Sequence, residues 1–486
     1  VAGNPLAPDW LHLPADANAL VPGLWSRTVT RTDGELTVGG VTAGELAAAY
    51  GTPLYVVDEA VVRERAVEVR TAFTEAFDRV GSSAKVYYAG KAFLSIEVAR
   101  WMVEAGLNID VCSGGELAVA LAAGVHPERI GFHGNNKSLA EIDRAVSVGV
   151  GAIIIDSFQE IERVSEAAAR HARTQRVRLR VNSGVHAHTH AFLATAHEDQ
   201  KFGIALGDVP SAVARIRELE GLEFLGLHCH IGSQIFGADG FVESAARLLA
   251  VHTELLAGGP VPELNLGGGF GIAYTAADDP SPIDALATRI AETVAAGCAE
   301  LGIPIPVVAF EPGRSIIGTA GLTLYTAGTT KDVSVSYQDD GETAVRRYVS
   351  VDGGMSDNAR PALYGADYSV RIASRVSDAP PALVRVAGKH CESGDIVVDA
   401  DYLPGDVAPG DLLAVPATGA YCWSLASNYN YVGRPAAVAV RDGKSRVIVR
   451  GETEADLLAR DAAYARNDAA TARNDAAYAR NEEDNA

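Results

Sequence analysis

Residues 84–123 read AKVYYAGKAFLSIEVARWMVEAGLNIDVCSGGELAVALAA, and this stretch decides the fold. The β-branched and aromatic run Val86–Ala89 stops at Gly90, and a helix is predicted over Ser95–Ala105. A second run, Ile109–Cys112, leads into a second helix over Gly115–Ala123. Such alternation is the pattern of βα units around a parallel sheet. Working outward, six more runs follow: Ile130–His133, Ala152–Asp156, Val177–Val181, Phe224–His230, Glu263–Leu266 and Val307–Glu311. Further helices are predicted over Leu139–Val148, Phe158–Arg170, Val209–Leu219, Gly240–Leu256 and Ile283–Leu301. Eight units in about 260 residues is the size of a (β/α)8 TIM barrel, whose reactive residues gather at the C-terminal mouth.

Beyond Arg314 the pattern becomes strand-rich, with runs at Leu322–Ala327, Arg347–Val351, Ile396–Val398, Leu412–Val415, Ala437–Val440 and Arg446–Val449 divided by turn residues. The chain is therefore expected to be α/β, a barrel over 51–315 followed by a sandwich-like or barrel-like β domain over 316–460. Residues 1–50, which include Leu36-Thr37-Val38, are expected to add strands to that β domain. The remainder, 461–486, repeats every seven residues, placing Tyr464, Thr471 and Tyr478 on one helical face; the apolar seam is thin, which favours a frayed tail over a docking helix.

Composition narrows the partners. The 486 residues carry a formal charge of −21, whereas nucleic acid needs a cationic face. No stretch approaches the ~20 apolar residues of a membrane span, and Val1–Leu20 lacks the form of a secretory signal, so a cytoplasmic protein is expected. The five cysteines are widely spaced without a CxxC pair, which indicates neither a disulfide framework nor a structural zinc site. His186, His188 and His190 alternate in a polar run that reads as a loop over the barrel mouth rather than a metal site, and no metal is expected.

The strand ends carry residues that turn formation does not require: Gly90-Lys91, Asp110 and Cys112, His133, Asp156, Arg180, His228 and His230 with Gly232-Ser233, Gly267-Gly268-Gly269, and Glu311-Pro312-Gly313-Arg314. Taken singly, each has a plainer reading: a solvated lysine, a pair of core histidines, a Gly-rich turn, a structural Glu–Arg pair. Together in one mouth, an amine, a glycine-rich phosphate cradle and an acid form the arrangement that a pyridoxal phosphate Schiff base needs. Bare backbone N–H groups of the glycines can hold a phosphate dianion, and a carboxylate can keep a pyridine nitrogen protonated.

These motifs, in the order Tyr-Tyr-Ala-Gly-Lys91, Asp110-Val-Cys-Ser-Gly-Gly-Glu116, His-Cys-His230-Ile-Gly-Ser233, Gly267-Gly-Gly-Phe-Gly, Glu311-Pro-Gly-Arg314, Arg360-Pro-Ala-Leu-Tyr364, Cys391-Glu392 and Gly419-Ala-Tyr421, resemble the fold-type-III, alanine-racemase-like pyridoxal phosphate enzymes. Within that group the chain resembles the diaminopimelate branch of the ornithine/diaminopimelate/arginine decarboxylases, and the resemblance covers about residues 35–460. It implies Lys91 as the cofactor-bearing amine, His230 as the ring stacked on the pyridine, and Glu311 as the partner of the ring nitrogen. Ser233, Gly268, Gly269, Gly313, Arg314 and Tyr421 would hold pyridoxal 5'-phosphate. Cys391 would supply the proton to Cα, reaching the barrel of a second subunit in a homodimer with shared active sites. Arg314, Arg360, Tyr364, Glu392 and Tyr421 would receive meso-diaminopimelate, whose product is L-lysine. A decarboxylase of another dicarboxylic amino acid, a racemase and a non-catalytic cofactor carrier are the alternatives, and the Cys391-Glu392 segment speaks against the last two.

Overall fold

The computed structural model describes residues 3–185, 201–337 and 341–464. The histidine run at 186–190 and the repetitive tail from 465 onward, with Thr471 and Tyr478, lie outside the described residues.

Eight parallel strands close into a barrel: β1 (Ala84–Ala89), β2 (Asn108–Val111), β3 (Ile130–Phe132), β4 (Ala152–Ile155), β5 (Gln175–Asn182), β6 (Leu222–His228), β7 (Glu263–Asn265) and β8 (Val307–Phe310). Closure is the pairing of β8 with β1, which sets Val308 opposite Ala84 and Phe310 opposite Val86. All eight fall on the expected runs, because strands covered on both faces read as unbroken apolar segments. Four of the barrel helices start where a serine ends the preceding turn. Ser95, Ser113, Ser138 and Ser157 each accept a hydrogen bond from the backbone N–H three residues on. Each such cap is worth about 1 kcal/mol.

One helix packed on the barrel escaped the pattern. Glu59–Arg79 precedes β1, and its mean character is polar; Phe73 and Phe77 nevertheless pack on Phe310 of β8, the former stacked at 4.0 Å between centroids. It covers the flank that an eighth helix would otherwise fill, since only the single turn Arg314–Ile317 follows β8.

The C-terminal sheet is built around the long strand Gly321–Ser336, which pairs with Thr343–Val351, Leu412–Pro416 and Leu54–Asp58. The last of these strands lies inside the expected barrel span of 51–315, yet it belongs to the β domain, bridging Gly321–Leu324 and Ala437–Val440. Its residues are buried along its whole length, the property of a central strand. The N-terminal strands Thr30–Thr32, Glu35–Val38 and Val41–Thr42 form their own three-stranded sheet. They reach the β domain through side chains: Leu36, Val38 and Val41 share a core with Val56, Leu324 and Val440. No described helix is long and apolar enough to cross a membrane.

Candidate active site

Lys91 sits in the single helical turn Gly90–Ala92 that caps β1. Two contacts hold that turn: Ala89 N–H donates to Pro312 O at 3.0 Å, and Ala92 O accepts from Tyr421 N–H at 2.8 Å. The β domain therefore reaches the lysine turn directly. Gly313 makes the approach possible, because a Cβ there would lie 3.0 Å from Ala89 O and 3.1 Å from the Ala92 Cβ. The Lys91 side chain is open to the cleft. Burial works to lower its pKa, but nearby Tyr421, Cys112 and Glu311 more than offset this and raise it.

Across the mouth, register explains how three polar groups meet. His228 of β6 pairs with Asn265 of β7, and Asn265 pairs with Ala309 of β8. Glu311, two residues beyond Ala309, returns to the same face by alternation. Asn265 Nδ2 donates to Glu311 Oε1 at 2.7 Å, and His228 Nε2 lies 3.1 and 3.2 Å from the two carboxylate oxygens. His133 Nε2 is 3.4 Å from Glu311 Oε1 and 3.2 Å from Asp110 Oδ1. Burial favours the neutral acid, yet His228, His133 and His230 outweigh it and hold the Glu311 carboxyl well below the usual range. Asp110 goes the other way, raised by burial and by Glu311 itself. The two acids are thus pushed in opposite directions, which favours the charge on Glu311 over Asp110.

His230 Nδ1 accepts from Gly268 N–H at 3.2 Å. Burial and the cations Lys91 and Arg180 push its pKa well below 6.5, so the imidazole is neutral with its proton on Nε2. Gly269 has φ +111°, and a Cβ there would stand 2.4 Å from Gly232 O. Only glycine fits this bend, which leaves Gly267–Gly269 and Gly232-Ser233 side by side as bare backbone.

A second group of residues gathers two guanidiniums. Arg314 donates to the Tyr274 hydroxyl and, at 2.9 Å, to Ser233 Oγ, and its guanidinium lies 4.6 Å from the centre of the Tyr421 ring. Arg360 donates to the Tyr368 hydroxyl at 2.5 Å and stands 4.3 Å over Tyr274. Both are buried, at 8% and 7% exposure. Among the described residues neither has a carboxylate partner. Tyr421 itself adopts φ +63°, a strained conformation for a bulky residue that its contact with Ala92 sustains.

The structure thus brings together Lys91, His230, Ser233, Gly268, Gly269, Glu311, Gly313, Arg314, Arg360 and Tyr421. It does not bring in the remaining three. Tyr364 is 64% exposed at the end of the helix Arg360–Tyr364. Cys391 and Glu392 lie exposed in a β-domain loop, where Cys391 N–H donates to Asn430 and Glu392 accepts from Ser393 and Gly394. Conversely, Asn265, Tyr274 and Tyr368 belong to the site although no sequence motif singled them out.

The residues present fit pyridoxal phosphate: a cleft-facing amine, a buried ionised carboxylate, a neutral imidazole and a glycine cradle flanked by Arg314. Residues 63–318 match the pyridoxal-dependent decarboxylase, pyridoxal binding domain, and residues 316–419 match the C-terminal sheet domain of the same enzymes. The diaminopimelate decarboxylase of Mycobacterium tuberculosis is 51% identical over 449 residues, covering 90% of this chain and 98% of its own. That of Bacillus subtilis is 44% identical over 89% of this chain and 96% of its own. Among solved structures, diaminopimelate decarboxylase from M. jannaschii in complex with L-lysine superposes with a TM-score of 0.82 at 32% identity, over 90% of this chain and 98% of that one. Barrel, sheet domain, cofactor-fitting mouth and near-full-length identity agree: the chain belongs to the pyridoxal-dependent decarboxylases, and within them to the diaminopimelate decarboxylases.

Proposed function

We propose that this chain converts meso-2,6-diaminopimelate to L-lysine and CO2, with Lys91 as the amine that carries the cofactor aldehyde and Arg314 and Arg360 as the receptor for the substrate's distal carboxylate. The observation that carries the substrate assignment is the pair of buried guanidiniums with no carboxylate partner among the described residues. Buried cations are costly unless paired. A dicarboxylic substrate supplies the missing anion, whereas the distal ammonium of ornithine would face two like charges.

When bound, pyridoxal phosphate supplies the electron sink for the pair released as CO2 leaves. The protein's own groups do the rest. Glu311 holds a proton at the pyridine nitrogen, and its ionised state in a dry site suits that work. His230, neutral and fixed by Gly268, offers a flat face to the ring without adding charge. The glycine turns and Ser233 present N–H and O–H donors to phosphate. Tyr421 joins the Arg314 guanidinium to the Lys91 turn.

The proton for Cα comes from Cys391 of a second subunit, and Glu392 beside it takes the ammonium next to the distal carboxylate. Support for the shared site is the exposure of both residues on the β domain, away from the residues that surround Lys91. The cytoplasm is the fitting compartment for a chain whose five cysteines are all unpaired. The deciding experiment supplies meso-diaminopimelate, L-ornithine or L-arginine to the holoenzyme and measures CO2 and L-lysine. Release from ornithine at a rate comparable to diaminopimelate would remove the substrate assignment.

A further inference from the structure

We infer that His228 is a positioning residue, backed by His133: two buried imidazoles set edge to face clamp Glu311 so that its carboxylate stays aimed at the cofactor's ring nitrogen. The inference rests on the assignment of Glu311 above and deepens it.

Three observations carry it. His228 Nε2 stands 3.1 and 3.2 Å from the two oxygens of Glu311, while Asn265 fixes one of them from the neighbouring strand. A carboxylate only accepts, so the proton of the neutral His228 ring is on Nε2. Its Nδ1 is buried and has no hydrogen-bond partner among the described residues. An imidazole placed only for packing would not face a carboxylate and leave its other nitrogen unpaired in a dry core, since such a group is costly. Second, His133 meets His228 edge on, with ring centroids 5.1 Å apart at 66°, and touches the same carboxylate at 3.4 Å. Third, burial lowers both histidines to about 4. At neutral pH His228 donates to Glu311 while His133 lies against the same carboxylate without a hydrogen bond, and neither neutral ring cancels the charge of Glu311, which remains available to a protonated pyridine.

Asp110, raised by burial and by Glu311, stands 3.2 Å from the same His133 Nε2. The same geometry has a rival, because ligand atoms of His133, His228 and Glu311 lie within 4.8 Å of one another and could share a metal ion.

The test is a double-variant cycle on the holoenzyme, using His228→Met, His228→Gln and Glu311→Gln. Removing a donor to a buried charge predicts a fall in kcat of about 10- to 100-fold for His228→Met, with KM changed little. In the Glu311→Gln background the same change costs less than about threefold, because there is no charge left to aim. His228→Gln, which keeps an N–H donor, restores most of kcat. Independently of turnover, titration of the apoenzyme with pyridoxal phosphate shows weaker binding and an altered visible absorption for His228→Met, but not for His228→Gln. If His228→Met fails to fold, His133→Met enters the same cycle. Equal losses in both backgrounds overturn the clamp, as does a stoichiometric metal in the holoenzyme that His228→Met abolishes. If the Glu311 assignment is itself wrong, Glu311→Gln alone leaves kcat unchanged, an outcome distinct from failure of the clamp.

Discussion

Replacing Arg360 with methionine separates a binding role from a structural one, because the two predict opposite signs. In the structure the guanidinium is 7% exposed, donates to the Tyr368 hydroxyl and stacks on Tyr274 at 4.3 Å. The cation–π contact is worth about 0.5–2 kcal/mol to folding. Against this stands the desolvation of a cation with no carboxylate beside it among the described residues, and replacing buried charges by apolar groups of similar size is often neutral or stabilising by about 1–4 kcal/mol. Tyr368 retains Cys422 Sγ at 3.7 Å when the arginine is removed. The apoprotein of Arg360→Met is therefore expected to melt at or above the wild-type temperature. Catalysis moves the other way. A hydrogen-bonded charge pair to the distal carboxylate contributes about 1.5–3 kcal/mol, so KM for meso-diaminopimelate rises about 10- to 100-fold.

KM equals a dissociation constant only when chemistry is slow, so the decisive quantity is product inhibition. L-Lysine keeps the one carboxylate that is not lost, which is the group Arg360 would hold. Its inhibition constant rises by the same factor as KM, whereas inhibition by 1,5-diaminopentane, which has no carboxylate, is unchanged. Steady-state CO2 release with each inhibitor, beside thermal unfolding of the apoprotein, measures all three terms. A lysine constant within twofold of wild type, or a melting temperature that falls while KM holds, would refute the receptor role.

Three further outcomes are expected. Cys391→Ala retains cofactor but loses decarboxylation, and mixing it with inactive Lys91→Ala after subunit exchange restores about a quarter of wild-type activity, since half the dimers then hold one intact site; no recovery in verified mixed dimers contradicts shared sites. Gly269→Ala forces a Cβ to within 2.4 Å of Gly232 O at φ +111°, and about 1–3 kcal/mol of strain should weaken pyridoxal phosphate binding about tenfold or more by spectral titration. His252 is almost wholly buried and lowered by burial to about 4. The unfolded chain takes up its proton near pH 6.5 while the fold resists until about 4, so stability is lost as pH falls through that window, by about 2 kcal/mol at pH 5. Urea unfolding at pH 7 and pH 5 should show His252→Gln losing less than wild type by that amount, and equal losses would discount the effect.

The barrel was legible because each of its strands is covered on both faces and so reads as an unbroken apolar run between helical stretches, and local pattern and tertiary role coincide. The helix Glu59–Arg79 was not, because its charged residues lie among a few large anchors such as Phe73 and Phe77, whose partner Phe310 is far away in the chain. The strand Leu54–Asp58 carried the right local mark, an unbroken apolar run, but no local feature says which sheet receives it. The same divide runs through the site. Lys91, His230 and Glu311 announce themselves as unusual chemistry at strand ends. Asn265, Tyr274 and Tyr368 look ordinary in sequence, and their importance comes from register and from cations brought in by distant segments.

The distribution of charge ties the two domains to one reaction. A chain with net charge −21 concentrates Lys91, Arg314 and Arg360 around one mouth, and a local field decides what enters a cleft regardless of the overall sign. The guanidiniums are divided between the domains: Arg314 follows the last barrel strand, and Arg360 belongs to the β domain. Tyr274, from the loop after β7, touches both, and Tyr421 ties the β domain to the backbone beside Lys91. Separating the domains would split the proposed anion receptor and release the strained Tyr421, so neither half would keep all of its residues. The strand Leu54–Asp58 makes that separation costly, because it lies in the β sheet and its last residue, Asp58, caps the barrel helix Glu59–Arg79. The proposed carboxylate receptor and the lysine turn are thus built on one continuous framework, and this barrel needs the sheet domain of its own chain to complete that receptor before any second subunit is considered.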